Sequence, residues 1–240
     1  HLSDASYSAL SYAILYQRDT VFDFLINRTS PKVHSLKSSS NPINLSKQLQ
    51  NKEYAQKLED KGFETDWKPT LYGTFLSTTI SFNKNEFYNR HELALWDYKY
   101  NLLFGLGFSH RYKRKSVLLE MQDDVFYQVF EKRIYLDLNL QKRFPLVREK
   151  GTMNNAGLFV ANRFQFAMGK YVGLEQNFEK RFYLTPSLGI YALVDNLYIS
   201  FAYTYTPYGY INISPSKYEI SIGGLIPSIY HKEKYFPKWL

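Results

Sequence analysis

The sequence contains no cysteine among its 240 residues. A disulfide framework and a thiolate site are therefore excluded, and the redox environment of the protein stays undecided. Long apolar runs are also missing: the most apolar stretch, residues 102–108, is far shorter than the roughly 18 residues that a spanning helix needs. The chain opens His-Leu-Ser-Asp, without a basic start or an apolar signal core, so we expect a mature, processed chain that has left the cytoplasm.

Aromatic residues, in contrast, are abundant and make up 18% of the chain, with 22 tyrosines and 18 phenylalanines. Such enrichment is typical of β-strands and of the aromatic belts at membrane interfaces. The formal net charge is +8, but the basic residues are scattered among turns rather than gathered on one surface. Nucleic acid is therefore not an expected partner.

Alternation of apolar and polar residues with a period of two is the dominant pattern of the chain. In residues 197–205, the odd positions are aliphatic or aromatic, and most of the even positions are small or polar. Similar patterns predict strands over residues 7–17, 20–27, 71–82, 87–96, 102–109, 134–141, 158–168, 171–180, 182–190 and 217–226. Turn signals are expected at residues 18–20, 83–85, 169–170 and 195–196. The pattern predicts an all-β fold, a closed antiparallel transmembrane β-barrel of about 10–12 strands.

One long segment, residues 29–68, interrupts this pattern. Within it, residues 45–61 are predicted to form a helix, with Asn44 or Ser46 as the N-cap and Gly62 just past the C-terminus. We therefore predict a single barrel domain over residues 1–240, with a non-barrel insertion at 29–68 and an aromatic, basic tail at 227–240.

Charged residues in the middle of several strands favour a membrane barrel over the alternative of a soluble β-sandwich. The regular strands keep their alternation over more residues than the usual 5–6 of soluble strands. If the apolar face meets lipid, the polar face lines the interior, where charges of both signs can form ion pairs. The residues expected to line and close this interior are Arg111, Glu120, Asp137, Arg163, Glu175, Lys217 and Glu219.

The orientation in the membrane is predicted from the lengths of the connections. If the last strand, residues 217–226, descends to the periplasm, residues 207–216 and 145–155 lie outside, and the turns at 169–170 and 195–196 lie inside. Basic clusters on the outer side could contact the phosphates of lipopolysaccharide, although simple solvation of strand ends is the alternative. The residues of these clusters are Lys113, Arg114, Lys115, Lys142 and Arg143.

No catalytic, cofactor or metal site is predicted. Ser109 and His110 resemble a nucleophile and its base, but adjacent strand residues point to opposite faces and cannot form a dyad. The tail offers a different kind of site, because exposed aromatic residues there can anchor the chain at the interface or bind a protein partner. These residues are Tyr230, Tyr235, Phe236 and Trp239.

The segments Tyr203-Thr204-Tyr205-Thr206-Pro207 and, after it, residues 216–224 (Ser-Lys-Tyr-Glu-Ile-Ser-Ile-Gly-Gly) resemble the closing hairpin of small outer-membrane barrels of Bacteroidota. They are similar to the barrel family associated with type IX secretion, over about the last third of the chain. The resemblance implies an outer-membrane location and other outer-membrane or periplasmic subunits as partners. We predict a non-enzymatic scaffold or accessory subunit of an outer-membrane secretion, transport or assembly complex, with a narrow passive pore as the alternative and a lipid-modifying enzyme third.

Overall fold

A computed structural model describes residues 8–31, 41–49, 51–65, 71–84, 86–97, 100–112, 115–121, 125–149, 154–172, 181–207 and 213–227. Four short helices come first: α1 (Ala9–Leu15), α2 (Asp19–Ile26), α3 (Pro42–Gln48) and α4 (Lys52–Asp60). Nine strands follow: β1 (Leu71–Phe82), β2 (Phe87–Asp97), β3 (Leu102–Arg111), β4 (Lys115–Met121), β5 (Val125–Arg148), β6 (Asn155–Val172), β7 (Phe182–Val194), β8 (Leu197–Tyr205) and β9 (Ser216–Pro227). None of the described helices is long and apolar enough to cross a membrane.

The strands form a closed antiparallel barrel with eight positions around the ring. Apart from β3 and β4, each strand pairs with its neighbours in sequence, and β1 closes the ring by pairing with β9. β3 and β4 occupy one position between them, because both pair with the long β5. The predicted closed barrel is confirmed, but the predicted number of strands, 10–12, is too high.

Two causes account for the difference in strand number. Residues 7–17 and 20–27 were predicted as strands, whereas the structure has α1 and α2 there. The turn predicted at residues 169–170 is absent, because β6 continues through it to Val172. Gly169 has a φ of 134°, and a Cβ there would lie 1.9 Å from the Lys132 carbonyl oxygen. The glycine therefore permits a close strand contact and does not mark a chain reversal.

The turn at Asp195–Asn196 is where the sequence predicts it, whereas Asp19 and Thr20 of the turn predicted at residues 18–20 begin α2. Asp195 and Asn196 join β7 to β8 with φ angles of 47° and 71°, as a two-residue hairpin turn requires. The predicted helix at 45–61 is present as two helices, α3 and α4. Gly62 follows α4 with a φ of 84°, and the N-cap of α3 is Asn41, because its side chain accepts from the amide of Ile43.

The two ends of the barrel differ. The cap end, where β1 begins and β9 ends, also carries the turn between β7 and β8 and the connection between β5 and β6. A hydrogen bond of 2.9 Å from the Asp195 amide to Asn154 Oδ1 links these two connections. The prediction that residues 145–155 and residues 195–196 lie on opposite sides is thus wrong, because both connections lie at the cap end. The opposite end, the loop end, carries the connections 83–86, 122–124, 173–181 and 206–215.

The four helices form a helical cap (residues 8–31, 41–49 and 51–65) that precedes the first barrel strand. Its buried apolar side chains belong to the same core cluster as side chains from inside the barrel. From the cap these include Leu10, Ile14, Phe22, Ile43 and Leu58; from the barrel, Phe75, Trp96, Leu103, Phe159 and Tyr191. Apolar packing therefore joins the cap to the interior of the barrel.

Within the helical cap, α2 and α4 are held together by Tyr54. Its ring stacks on Phe22 with a centroid distance of 4.0 Å, and its hydroxyl donates a hydrogen bond to Asp19. Burial and the Asp19 carboxylate raise the pKa of the phenol above the ordinary value of 10.0. The folded protein therefore favours the neutral phenol. The contribution of Tyr54 to the stability of the fold is present below pH 10.0, and it is lost as the pH rises from there towards the pKa of the folded state.

We expect Tyr54→Phe to lower the stability of the helical cap by about 1 kcal/mol at neutral pH, since one hydrogen bond is removed and the ring stack stays. The variant should also lose less stability than wild type between neutral and alkaline pH. Lys57→Gln is the control, because the exposed ion pairs of Lys57 with Asp23 and Glu53 should contribute little. Hydrogen exchange of the cap amides measures both effects, and equal protection in Tyr54→Phe and wild type would contradict the role of Tyr54.

Candidate functional site in the barrel interior

The alternation of the strands decides which side chains enter the barrel. In β2, Arg90, Ala94 and Trp96 are buried, whereas Leu93 and Leu95 between them are exposed on the outer wall. The same alternation continues around the ring, with aliphatic and aromatic side chains outside. The interior consequently contains three ion-paired clusters and one isolated arginine.

The first cluster lies in the middle of the barrel around Arg90. Its guanidinium donates to Asp137 from Nη2 to Oδ1 at 2.6 Å and from Nε to Oδ2 at 3.2 Å, which makes the pair bidentate. Nη1 of Arg90 bonds Glu92 at 2.7 Å. Ser109 donates to Asp137 at 3.2 Å, and Asn139 donates to Glu92 at 2.7 Å. Both carboxylates are therefore paired and hydrogen-bonded, which a buried charge requires.

The second cluster lies beside the first and connects five strands, β1, β6, β7, β8 and β9. Arg163 on β6 donates to Glu219 on β9 at 2.5 Å, and also to Ser187 and Thr204 at 2.9 and 3.1 Å. Ser81 on β1 donates to the other oxygen of Glu219 at 2.8 Å. These bonds tie the closing pair of strands, β1 and β9, to the opposite side of the ring.

The third cluster fills the loop end around Arg111. Arg111 donates to Glu86 at 2.5 Å and to the Tyr88 hydroxyl at 2.7 Å, and pairs with Glu131 at 3.4 Å. Lys217 lies 3.6 Å from Glu86 and 3.8 Å from the centre of the Tyr88 ring. Arg133 also pairs with Glu131 and bonds the Tyr183 hydroxyl at 2.9 Å. A cation–carboxylate network therefore occupies this end of the interior.

Arg143 differs from the other buried cations. It is 1% exposed, and among the described residues its guanidinium makes no hydrogen bond to a carboxylate. Four aromatic rings surround it instead, with centroids 4.5–5.6 Å from its Cζ atom. These rings are Phe75, Trp96, Tyr191 and Tyr198, which belong to the core cluster shared with the helical cap. Arg143 is thus held by cation–π contacts.

The residues predicted to line the interior are distributed among these clusters. Arg111, Asp137, Arg163, Lys217 and Glu219 all lie inside the barrel and take part in ion pairs. Glu120 lies on β4, where its side chain is outside the described part of the structure, and Glu175 is outside the described residues. The sequence interpretation missed Glu86, Arg90, Glu92, Glu131 and Arg133. The sequence of β5 contains a signal that could have identified Glu131 and Arg133, because every second residue from 131 to 143 is polar or aromatic.

Of the predicted lipid-phosphate residues, the structure describes the side chains of Lys142 and Arg143, and these two point to opposite sides of the wall. Arg143 was predicted at the membrane surface, but the structure buries it inside the barrel, because alternation turns every odd residue of β5 from 131 to 143 inward. Lys142 points outward at the cap end, where its ammonium bonds the Tyr100 carbonyl. Lys113 and Arg114 are outside the described residues, as are the tail residues Tyr230, Tyr235, Phe236 and Trp239. Lys115 begins β4, and its side chain is not described.

The space left inside the barrel is small. Two interior cavities measure about 30 and 20 Å³ and are lined by the ion-paired residues, among them Arg90, Arg163 and Glu219. Cavities of this size hold one or a few water molecules. In the described part of the chain, the side chains therefore fill the interior at the level of Arg90 and Arg163.

The described residues contain no group of three or more metal-ligating side chains. The two described histidines, His91 and His110, lie on the outer wall, so neither is beside Ser109 in the interior. The three ion-paired clusters can therefore close the interior of the barrel through contacts between side chains.

The fold and its interior define a closed eight-stranded β-barrel with an ion-paired core and a helical cap. No protein-family model matches the sequence, and no curated protein matches it.

Proposed function

We propose that the protein is an integral outer-membrane β-barrel with a sealed interior, which serves as a non-enzymatic scaffold or accessory subunit of an outer-membrane complex. The observation that carries this proposal is the distribution of side chains across the barrel wall. Leu106, Leu138 and Phe164 on the outer wall are 63%, 57% and 57% exposed, whereas Arg90 and Asp137 inside are 4% and 3% exposed. A soluble barrel has the opposite distribution, and lipid is the solvent that suits this one.

Closure of the ring supports the same location. The pairing of β1 with β9 closes the eight-position ring, so the backbone groups of the paired strands are hydrogen-bonded within the wall. Backbone groups in a bilayer core require such bonding, because hydrocarbon offers no hydrogen-bond partners.

The proposed orientation places the cap end in the periplasm and the loop end outside. Two-residue turns such as Asp195–Asn196 are typical of the periplasmic side of these barrels, and longer connections are typical of the outer side. The helical cap then faces the periplasm, where Val21 and Phe24 of α2 are exposed at 47% and 54%. Lipopolysaccharide would surround the loop end, and periplasmic or outer-membrane subunits could contact the cap and the tail.

Conductance separates the scaffold from the alternative, a narrow passive pore. We expect the purified full chain to give no steady current in planar bilayers, because the ion-paired clusters fill the interior. A porin inserted under the same conditions is the positive control, and insertion of the protein is verified by protease protection. A steady open current from the wild-type chain would reject the sealed scaffold in favour of the pore.

Purification from native membranes tests the role as a subunit. A partner in fixed stoichiometry is expected after mild solubilisation, and its absence after cross-linking would reject the scaffold role. A variant with the tail aromatics Tyr230, Tyr235, Phe236 and Trp239 changed to serine identifies whether the tail holds the partner. A variant with Phe24→Ala tests the cap in the same way.

A further inference from the structure

A patch of polar side chains interrupts the apolar outer wall on β1, β2 and β3. Thr78, Asn89, His91 and His110 point outward there, among residues such as Leu93 and Phe108 that face away from the interior. The rings of His91 and His110 are stacked, with centroids 6.2 Å apart. Polar groups facing hydrocarbon are costly unless a partner satisfies them, so this patch requires an explanation.

Next to the patch, the outer wall has an apolar groove, which we term the belt groove. It runs across the strands between two rows of outward side chains, has a volume of about 830 Å³ and is open on its outer side. The lower row, nearer the cap end, consists of Leu197, Gly224, Leu76, Leu93 and Leu106. The upper row, nearer the loop end, consists of Ile222, Thr78, His91 and Phe108.

Gly224 opens the groove in its lower row. It pairs with Leu197 on one side and Leu76 on the other, so a side chain at this position would stand between two leucines. A Cβ built at Gly224 meets no atom within 4 Å, which shows that the space there is empty. The glycine therefore leaves a depression in a wall that is otherwise covered by aliphatic side chains.

The hydrogen bonds of the patch direct a donor towards the groove. The amide Nδ2 of Asn89 can only donate, so at 3.3 Å it donates to Nε2 of His91. The neutral imidazole then carries its proton on Nδ1 and donates it to the Thr78 hydroxyl oxygen, 3.1 Å away. The hydroxyl proton of Thr78 is consequently left to donate to an acceptor in the groove that Thr78 lines.

We propose that the belt groove binds one acyl chain of a membrane glycerophospholipid, and that the ester carbonyl of this chain accepts a hydrogen bond from Thr78. The proposal rests on the proposed membrane location. An ester-linked chain matches the site because it joins a long apolar tail to a carbonyl acceptor.

Native mass spectrometry of the full chain in detergent tests this, with 1-palmitoyl-2-oleoyl-phosphatidylethanolamine as the probe. Wild type should retain one lipid. Gly224→Phe should abolish retention by filling the depression, whereas Ala192→Phe, the same added bulk on the outward side of β7, should leave it unchanged. Thr78→Val should weaken binding about threefold to tenfold, as expected for one net hydrogen bond, and the control Thr74→Val on the same strand face should not.

A diether analogue of the probe, which has no carbonyl, separates the hydrogen bond from the apolar contact. It should bind wild type as weakly as the diester binds Thr78→Val. Equal retention of the diester by wild type, Gly224→Phe and Thr78→Val, or equal binding of diether and diester by wild type, would overturn the proposal. Folding of each variant is checked by heat-dependent gel mobility, and dispersion without detergent is measured on the same preparation, because a detergent-independent protein contradicts the membrane location itself.

Discussion

We expect the Arg90→Met variant to unfold with a free energy about 3–5 kcal/mol lower than wild type, the usual cost of removing one partner from a buried ion pair. Arg90 holds two buried carboxylates, Asp137 and Glu92, through three guanidinium nitrogens. Methionine fills part of the space but donates no hydrogen bond, so both carboxylates would remain buried without their cation. Urea unfolding of the protein in lipid vesicles, followed by tryptophan fluorescence, measures the loss.

Arg143→Met is the matched control, because it is the same substitution in the same interior without a carboxylate partner. Loss of the cation–π contacts with four rings is offset by removal of a buried charge that no described carboxylate neutralises. We therefore expect a change within about 2 kcal/mol of zero, since desolvated cation–π contacts are of that order. Equal losses in the two variants would show that the interior is sensitive to any change of volume and not to the ion pairs.

The second large effect is expected from a charge placed on the outer wall. Leu138 is 57% exposed in the middle of β5, and Leu138→Arg should cost about 2–4 kcal/mol if this wall faces the centre of a bilayer. The same substitution on a water-facing surface usually changes stability by no more than about 0.5 kcal/mol. The size of the loss therefore distinguishes lipid from water as the solvent of the wall.

Leu146→Arg provides the control for depth in the membrane. Leu146 is 70% exposed near the cap end of the same strand, where the strand is irregular between Pro145 and Val147. An arginine there should cost about 0–1 kcal/mol, since the penalty falls towards the interface. Both variants are compared by the folded fraction in vesicles across a urea series. Losses that are small at both positions would contradict a membrane-facing wall.

Strand alternation made much of the barrel predictable. Residues 134–141 and 197–205 alternate strictly in sequence, and both lie in strands whose odd and even residues face opposite sides of the wall. The tight turn at Asp195–Asn196 was predictable because both residue types tolerate positive φ angles. These features are local, so they can be recognised without knowledge of any partner strand.

The first 31 residues were not predictable by the same rule. α1 and α2 contain seven and eight residues, too few for a clear helical period, and Thr20, Val21 and Phe22 favour strands locally. Leu10 and Phe22 are 1% and 0% exposed, and their packing in the helical cap stabilises helices that are too short to be stable alone. Tertiary contacts here override the local preference.

The sequence by itself determined which side of the regularly alternating segments, such as residues 134–141 and 158–168, is apolar, and hence that charged residues such as Asp137 and Arg163 share a face away from the aliphatic residues. Only the tertiary structure decided which charges meet: Arg90 is 47 residues from Asp137, and Arg163 is 56 residues from Glu219. The physical reason is that alternation depends on neighbouring residues, whereas ion pairing depends on strand register and closure of the ring. The same closure placed Arg143 among four aromatic rings and left Thr78 facing the belt groove.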